Sequence, residues 1–261
     1  MGFGIYIASI FTVGNLGMGF YSIISSAQGN YSTAAWLIMA AMVFDGLDGT
    51  IARVTKTTSY LGIELDSFAD ITSFCIAPAV LMYFLVLKDY KLPGLAVAFL
   101  FVVFGALRLA RYNIKSFEAK SLVTYFEGLP SPAAGGILAS IVLIFGVFQK
   151  FEQGVTTKTI PLVTDRVPYI FQFMPLIMLV LGFLMITKLR YISFSKSKIF
   201  KKISLRTFIL IVVGALLILS YPENMIFIIF SIYVLSGVIE FLWRINKMQH
   251  EKRREKLNGD Q

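Results

Sequence analysis

Four aspartates with helical spacing stand out in an otherwise apolar part of the chain. The stretch DGLDGTIARVTKTTSYLGIELDSFAD, residues 45–70, begins with the pair Asp45 and Asp48 and ends with the pair Asp66 and Asp70. Residues three or four positions apart share one face of a helix, so each pair faces one way. A short turn between two antiparallel helices would bring both pairs to the same depth. The pattern therefore predicts a site at which four carboxylates converge.

Converging carboxylates of this kind favour hard divalent cations. Insertion scales assign roughly 2.5–3.5 kcal/mol to one central aspartate in a membrane, and like-charge repulsion adds to that cost. The only histidine, His250, lies in the C-terminal tail, and Cys75 is the only cysteine. All-oxygen ligands suit Mg²⁺, Mn²⁺ or Ca²⁺ and not zinc or copper. We expect two divalent cations, Mg²⁺ or Mn²⁺, with Ca²⁺ as a substitute that the same oxygens accept.

A cation or proton transporter is an alternative explanation of acidic residues inside a membrane. A single such aspartate is often neutral or paired with a basic side chain, but four at this spacing are harder to explain that way. The acids cluster near one membrane face. The predicted spans 4 to 7 carry no acid at mid-depth, and span 8 carries only Glu240 near its end. No continuous proton relay is therefore visible, and the alternative stays open.

The rest of the chain predicts helices that span a membrane. Of the 261 residues, 57% are hydrophobic and 15% are charged, and the mean hydropathy is +0.75. Soluble domains carry about 25% charged residues. Apolar runs of about 20 residues each can cross a bilayer. We predict an all-α polytopic membrane protein with eight spans: 5–27, 33–54, 61–87, 92–112, 131–149, 167–187, 206–221 and 224–244.

The basic residues predict the orientation of these spans. With eight spans, 19 of the 24 lysines and arginines fall on the side that holds both termini. The positive-inside rule places that side, and with it the acidic hairpin, in the cytoplasm of a cell-membrane protein. The net charge of +9 then indicates attraction to anionic membrane lipids and no nucleic-acid partner.

Small residues beside the acids suggest room for a nucleotide. Gly49, Ala52 and Gly62 remove side-chain bulk next to the carboxylates, and Arg53 follows directly. Small residues alone usually mean close helix packing. Here they flank a charged cluster that faces the cytoplasm, where a flat base or a diphosphate could lie. Two metal ions a few ångströms apart can clamp a phosphoryl group during its displacement.

These residues together resemble the signature of the CDP-alcohol phosphotransferase family. The signature reads Asp-x-x-Asp-Gly-x-x-Ala-Arg, eight residues, then Gly-x-x-x-Asp-x-x-x-Asp, and residues 45–70 match it without a gap. The resemblance implies a six-helix core over residues 1–190. A basic loop, 191–205, two additional helices, 206–244, and a charged tail, 245–261, would follow that core.

The resemblance also implies a reaction. The stretches FTVGNLGMGF, DSFADITSFCIAPA, ALRLARYN and FEGLPSPAA are similar to those of the branch whose members make phosphatidylserine. Such an enzyme transfers the phosphatidyl group of CDP-diacylglycerol to L-serine and releases CMP. Other acceptors (glycerol 3-phosphate, inositol or choline) or an archaeal-type lipid donor remain alternatives. By this resemblance Asp45, Asp48, Asp66 and Asp70 would ligate the metal ions, and Asp70 would also be the general base.

The remaining site predictions concern the two substrates. By resemblance, Asp48, Gly49, Ala52, Arg53 and Gly62 would bind the CDP-lipid, with Asn15 as a further candidate. Arg108 and Arg111 share an i, i+3 face near the cytoplasmic end of span 4, and an arginine fork matches a carboxylate or a phosphate. Ser131 is a weaker candidate for the same acceptor or phosphate pocket. We also expect a homodimer.

Overall fold

The computed structural model of the protein describes residues 2–55, 60–118, 125–153, 160, 167–187, 189–192 and 217–259. The α-helices within these ranges are α1 Gly2–Ala27, α2 Tyr31–Thr55, α3 Tyr60–Asp70, α4 Ala77–Leu85, α5 Lys91–Glu118, α6 Ser131–Glu152, α7 Val167–Gln172, α8 Met174–Ile186 and α9 Pro222–Gly259. A π-helical segment, Ile71–Ile76, joins α3 to α4, and a 3₁₀ turn, Leu87–Tyr90, precedes α5. The same ranges contain two short strands, β1 Tyr125–Glu127 and β2 Arg190–Ile192.

The described helices confirm the prediction of an all-α polytopic membrane protein. Six of them are long and apolar enough to cross a membrane: Ser9–Ala27, Tyr31–Ile51, Leu61–Leu85, Leu87–Ile114, Ser131–Lys150 and Pro222–Phe241. The predicted span 167–187 is divided into α7 and α8 at Phe173, because Pro175 in the first turn of α8 has no N–H to continue the helix. The predicted span 206–221 lies outside the described residues except for 217–221, of which 217–220 are helical.

Helix α6 lies at the centre of the bundle. Within the described part of the chain, 78% of its membrane-spanning window is buried, against 11% for the window of α9. Its first half is rich in alanine and glycine, which lets α2 and α9 approach it closely. The α1–α2 hairpin packs beside it, and Gly29 (φ 81°) adopts the left-handed conformation that the tight turn requires.

The π-helical segment follows directly after Asp70. The sequence pattern predicts one uninterrupted helix over 61–87, and the structure instead changes from α to π geometry at Ile71. The segment packs against α1, where the Ser73 hydroxyl donates to the Asn15 carbonyl oxygen at 2.9 Å. Gly19 lies so close to Ser73 that a side chain there would collide with it. Single π-turns inside helices often occur at functional sites, which directs attention to Asp70.

A two-stranded antiparallel sheet joins two segments that the sequence analysis leaves as loops. Strands β1 and β2 pair Tyr125 with Ile192 and Glu127 with Arg190. The following Gly128 (φ 80°) donates its N–H to the Leu189 carbonyl oxygen at 2.8 Å, and its α-carbon lies against the α8 backbone, leaving no room for a side chain. The sheet therefore fixes the start of α6 relative to the end of α8.

Tyr191 anchors this sheet to the last helix. Its side chain is fully buried and lies against Gly237 of α9. Burial, and next the neighbouring phenol of Tyr233, raise the pKa of Tyr191 to about 12. The phenol is therefore protonated and neutral throughout the physiological pH range. Helix α9 is in this way packed onto both α6 and the sheet.

Candidate active site

Three aspartates from two helices meet in one cluster. Asp45 and Asp48 come from α2, and Asp66 comes from α3. One carboxylate oxygen of each lies within 4.8 Å of those of the other two. Asp70, one helical turn after Asp66, contacts Asp45 through its side chain. The structure thus brings together all four aspartates that the helical spacing places on facing surfaces.

The free oxygens of this cluster fit a metal ion. Asp48 Oδ2, Asp66 Oδ1 and Asp70 Oδ1 are buried and have no hydrogen-bond partner among the described residues. Buried polar atoms are normally satisfied, and a buried carboxylate oxygen without a donor is costly. A divalent cation would satisfy several of them at once, and oxygen-only ligands select a hard cation. Asp45, Asp48 and Asp66 can therefore hold a metal ion.

Thr12 orients the cluster, and the sequence analysis missed it. Its hydroxyl hydrogen-bonds to the Asp48 carboxylate, which also accepts the backbone N–H of Gly49. Thr12 itself is 4% exposed, so this contact lies inside the bundle, between α1 and α2. Its spacing could have identified it, because Thr12 precedes Asn15 by three residues, and residues at that offset share a helix face.

Asn15 presents an unpaired amide inside the protein. Its side chain is fully buried, and neither Oδ1 nor Nδ2 has a hydrogen-bond partner among the described residues. It projects from the α1 face that also carries Thr12. Leaving these two buried atoms unpaired costs free energy. A ligand that hydrogen-bonds to both atoms would remove that cost.

The small residues beside the acids leave open space at one position. A methyl group added at Gly49 would meet no atom within 4 Å. Gly62 is partly buried in α3. Ala52 and Arg53 belong to the last turns of α2, and their side chains lie outside the described set. Gly49 directly follows Asp48, so this open space lies on the part of α2 that carries the acids.

Arg108 and Ser131 form a buried polar pair beside Asp70. The Arg108 Nη1 donates to the Ser131 hydroxyl at 2.7 Å, and both side chains are almost fully buried. Arg108 also attracts the Asp70 carboxylate electrostatically. The pair joins α5 to the first residue of α6, and it places a positive charge next to the acidic cluster.

Arg111 has a different environment from Arg108. It is exposed, and its Nη1 donates to the carbonyl oxygen of Ile186 at 2.7 Å, at the end of α8. The i, i+3 spacing predicts that both arginines face one pocket, but the structure does not bring Arg111 to the Ser131 hydroxyl. Asn113, which the sequence analysis did not single out, ties α5 to α3 by donating to Ser67 Oγ at 2.9 Å.

Comparison with known proteins finds similarity along nearly the whole chain. Residues 5–164 match the family described as CDP-alcohol phosphatidyltransferase. A protein of Helicobacter pylori (strain ATCC 700392 / 26695) named CDP-diacylglycerol–serine O-phosphatidyltransferase is 34% identical over 244 residues, 94% of each chain. The Bacillus subtilis (strain 168) protein of the same name is 36% identical over 140 residues, 54% of this chain and 76% of its own. An archaetidylserine synthase of Methanothermobacter thermautotrophicus is 36% identical over 131 residues, 49% of this chain and 54% of its own.

Proposed function

Because this chain belongs to the CDP-alcohol phosphatidyltransferase family, we propose that it transfers the phosphatidyl group of CDP-diacylglycerol to the hydroxyl of L-serine. The products are phosphatidylserine and CMP. The observation that carries this conclusion is the position of Arg108 between the aspartate cluster and Ser131. A carboxylate cluster can bind the diphosphate of the donor through metal ions. A buried guanidinium can bind an acceptor that carries a carboxylate.

The donor occupies the side of the site that α2 and α3 form. Asp45, Asp48, Asp66 and Asp70 would hold two divalent cations, Mg²⁺ or Mn²⁺. When bound, these ions neutralise the diphosphate and the negative charge that develops on the leaving CMP. Thr12 keeps the Asp48 carboxylate in place.

The cytidine and diphosphate lie along the small residues. The open space at Gly49 accommodates the donor next to the acids. Gly62 of α3, which shares a helix face with the two aspartates of that helix by its spacing, contributes to the same pocket. Ala52 and Arg53, the next signature positions on α2, belong to the same donor pocket in this proposal. The Asn15 amide offers a donor and an acceptor to the nucleotide or the phosphate.

The chemical step joins serine to the phosphorus that carries the lipid. The serine oxygen forms a bond to the β-phosphorus of CDP-diacylglycerol, and the bond from that phosphorus to the bridging oxygen breaks, so CMP leaves. Asp70 accepts the hydroxyl proton as general base. This assignment is supported by the position of Asp70 at the junction of the acid cluster and Arg108.

The acceptor is held on the α5 and α6 side. Arg108 binds the serine carboxylate, and the Ser131 hydroxyl fixes the guanidinium that does so. A charged hydrogen bond in a buried place is stronger than a neutral one, so this contact favours amino-acid acceptors over neutral alcohols. Arg111, which is exposed on α5, contacts a phosphate at the rim of the site in this proposal.

The proposed orientation puts the active site and both termini on the cytoplasmic side of the cell membrane. The support is the excess of basic residues at that side of the helices. The soluble substrates, serine and CMP, then exchange with the cytoplasm. The same basic residues attract anionic membrane lipids. The protein works as a homodimer in this proposal.

A panel of acceptors tests the proposed reaction. Purified protein in lipid nanodiscs with CDP-diacylglycerol and one radiolabelled acceptor at a time is expected to yield labelled lipid mainly with L-serine. Inositol and choline should give little product, because they carry no anionic group for Arg108. Glycerol 3-phosphate should also give little product in this proposal, because its larger phosphate takes the place of the serine carboxylate. Exclusive use of glycerol 3-phosphate would mean another member of the family. Proton flux into liposomes lacking any CDP-lipid, without CMP release, would support a transporter instead.

A Gly49→Ala variant tests the donor pocket. Alanine in the interior of a helix is more stable than glycine by about 0.5–1 kcal/mol, and the added methyl group meets no atom. We therefore expect an unchanged or raised Tm together with a KM for CDP-diacylglycerol that rises about fivefold, the factor equivalent to about 1 kcal/mol. Gly17→Ala is the matched control, because Gly17 also has open space but lies on α1 opposite Asn15. Unchanged donor KM in Gly49→Ala would remove Gly49 from the pocket.

A further inference from the structure

Helix α9, which lies outside the matched family region, presents one face to the start of α6 and to strand β2. Phe230, Tyr233 and Gly237 follow i, i+3 and i+7 and share that face. The Phe230 ring packs on Gly136 of α6, and Gly237 packs on Tyr191 of β2, just beyond the start of α6. Helix α9 therefore runs antiparallel to α6. Tyr233 falls between these two contacts, at the level of the first turn of α6.

The Tyr233 side chain is held in a defined position. Its ring centroid lies 5.6 Å from that of Tyr191 at an interplanar angle of 36°. The Tyr191 hydroxyl lies 3.5 Å from the Val234 carbonyl oxygen, which keeps the two rings together. The Tyr233 phenol in turn interacts electrostatically with the Arg108 guanidinium. The guanidinium that Ser131 binds is therefore close enough to the Tyr233 phenol for the two groups to interact electrostatically.

The guanidinium at this place has unused donor capacity. Arg108 is 8% exposed, and its Nε has no hydrogen-bond partner among the described residues. A buried donor without an acceptor costs free energy, and a ligand oxygen would remove that cost. The unpartnered Nε is therefore a position at which an acidic ligand group would be stabilised.

We propose that Tyr233 is a further acceptor-binding residue, whose phenol and the Arg108 guanidinium together hold the carboxylate of the acceptor amino acid. The inference rests on the proposed function, because it takes serine as the acceptor. A phenol both donates and accepts hydrogen bonds, so it can contact the guanidinium and the carboxylate at once. The carboxylate on Arg108 leaves the serine hydroxyl, only a few bonds away, directed toward Asp70.

This assignment gives α9 a role in acceptor selection. The family match ends at residue 164, and Tyr233 lies well beyond it. The common part of the fold carries the aspartates, and the additional helix supplies a wall of the acceptor pocket. Acceptors without a carboxylate gain nothing from that wall.

The test is a Tyr233→Phe substitution in the full chain, which removes one hydroxyl and keeps the ring. The loss of one hydrogen bond to a charged group should raise the KM for L-serine about tenfold. The KM for CDP-diacylglycerol and the Tm should stay within error of the unsubstituted protein. Tyr169→Phe is the matched control, because Tyr169 is an exposed tyrosine of α7. It should change neither KM.

The outcomes separate this inference from the proposed function. Normal serine turnover with an unchanged serine KM in Tyr233→Phe would overturn the inference alone. An equal rise in both KM values with a lowered Tm would also overturn it, because that result indicates a structural role. Failure of the unsubstituted protein to release CMP with serine would refute the proposed function, and the inference with it.

Discussion

An Asp70→Asn variant will release no measurable CMP from CDP-diacylglycerol in the presence of serine. Asparagine keeps the shape of the side chain but accepts no proton from the serine hydroxyl and offers a weaker metal ligand. Loss of a general base alone lowers the rate by about 10²–10⁴-fold. The additional loss of a carboxylate from the metal site should bring turnover below detection. The measurement is CMP release by the purified variant, and Asp66→Asn should behave in the same way.

An Asp89→Asn variant is the matched control for this experiment. Asp89 is exposed in the 3₁₀ turn before α5, at the other end of the helices from the acid cluster. The same chemical change there should leave the rate and the Tm unchanged. Near-normal turnover by Asp70→Asn would remove its catalytic role, whatever the control shows. A folded Asp70→Asn protein, verified by its Tm, excludes unfolding as the reason for lost activity.

Chelation of divalent cations will inactivate the protein reversibly. We expect EDTA to stop CMP release and added Mg²⁺ or Mn²⁺ to restore it, because the buried oxygens of Asp48, Asp66 and Asp70 have no other described partner. Binding can be measured without activity by titrating the chelated protein with Mn²⁺ and following the spectroscopic signal of the free ion. Two ions per chain are expected, and fewer in Asp48→Asn.

Calcium-saturated EDTA controls for effects of the chelator on the lipid environment, and it should leave the magnesium-loaded protein active. Full activity after chelation, with no Mn²⁺ bound, would refute metal dependence. One bound ion per chain would keep a metal site but reject the arrangement with two ions.

The acid cluster could be predicted because it depends on local geometry. Asp45 and Asp48 share a face by helical periodicity, and a short connection brings them opposite Asp66 and Asp70. Hydropathy located the helices for a similar reason, since the length of an apolar run decides whether it spans a membrane. The structure confirms the helical membrane fold and brings the four carboxylates together.

Other features depend on contacts between segments that are distant in the chain, and the local sequence contains no pattern that predicts them. Strands β1 and β2 have three residues each and pair across more than sixty residues of chain. The environments of Arg108 and Arg111 differ because one meets the buried start of α6 and the other meets the exposed end of α8. Helical spacing alone could not tell the two apart. Thr12 was overlooked because its partner, Asp48, lies on another helix.

The π-helical segment Ile71–Ile76 lies inside the continuous helical stretch from α3 to α4. It makes the number of residues in that stretch more important than the identity of each apolar residue. Each residue of an α-helix turns the chain by about 100°, and a π-turn accommodates one residue more than an α-turn. Deleting one residue there would let ordinary α-helical bonds close. Asp66 and Asp70 would then rotate relative to Ser73, which holds its place on α1. Along this helix a conservative exchange of one apolar residue for another is therefore a smaller change than the loss or gain of a single position.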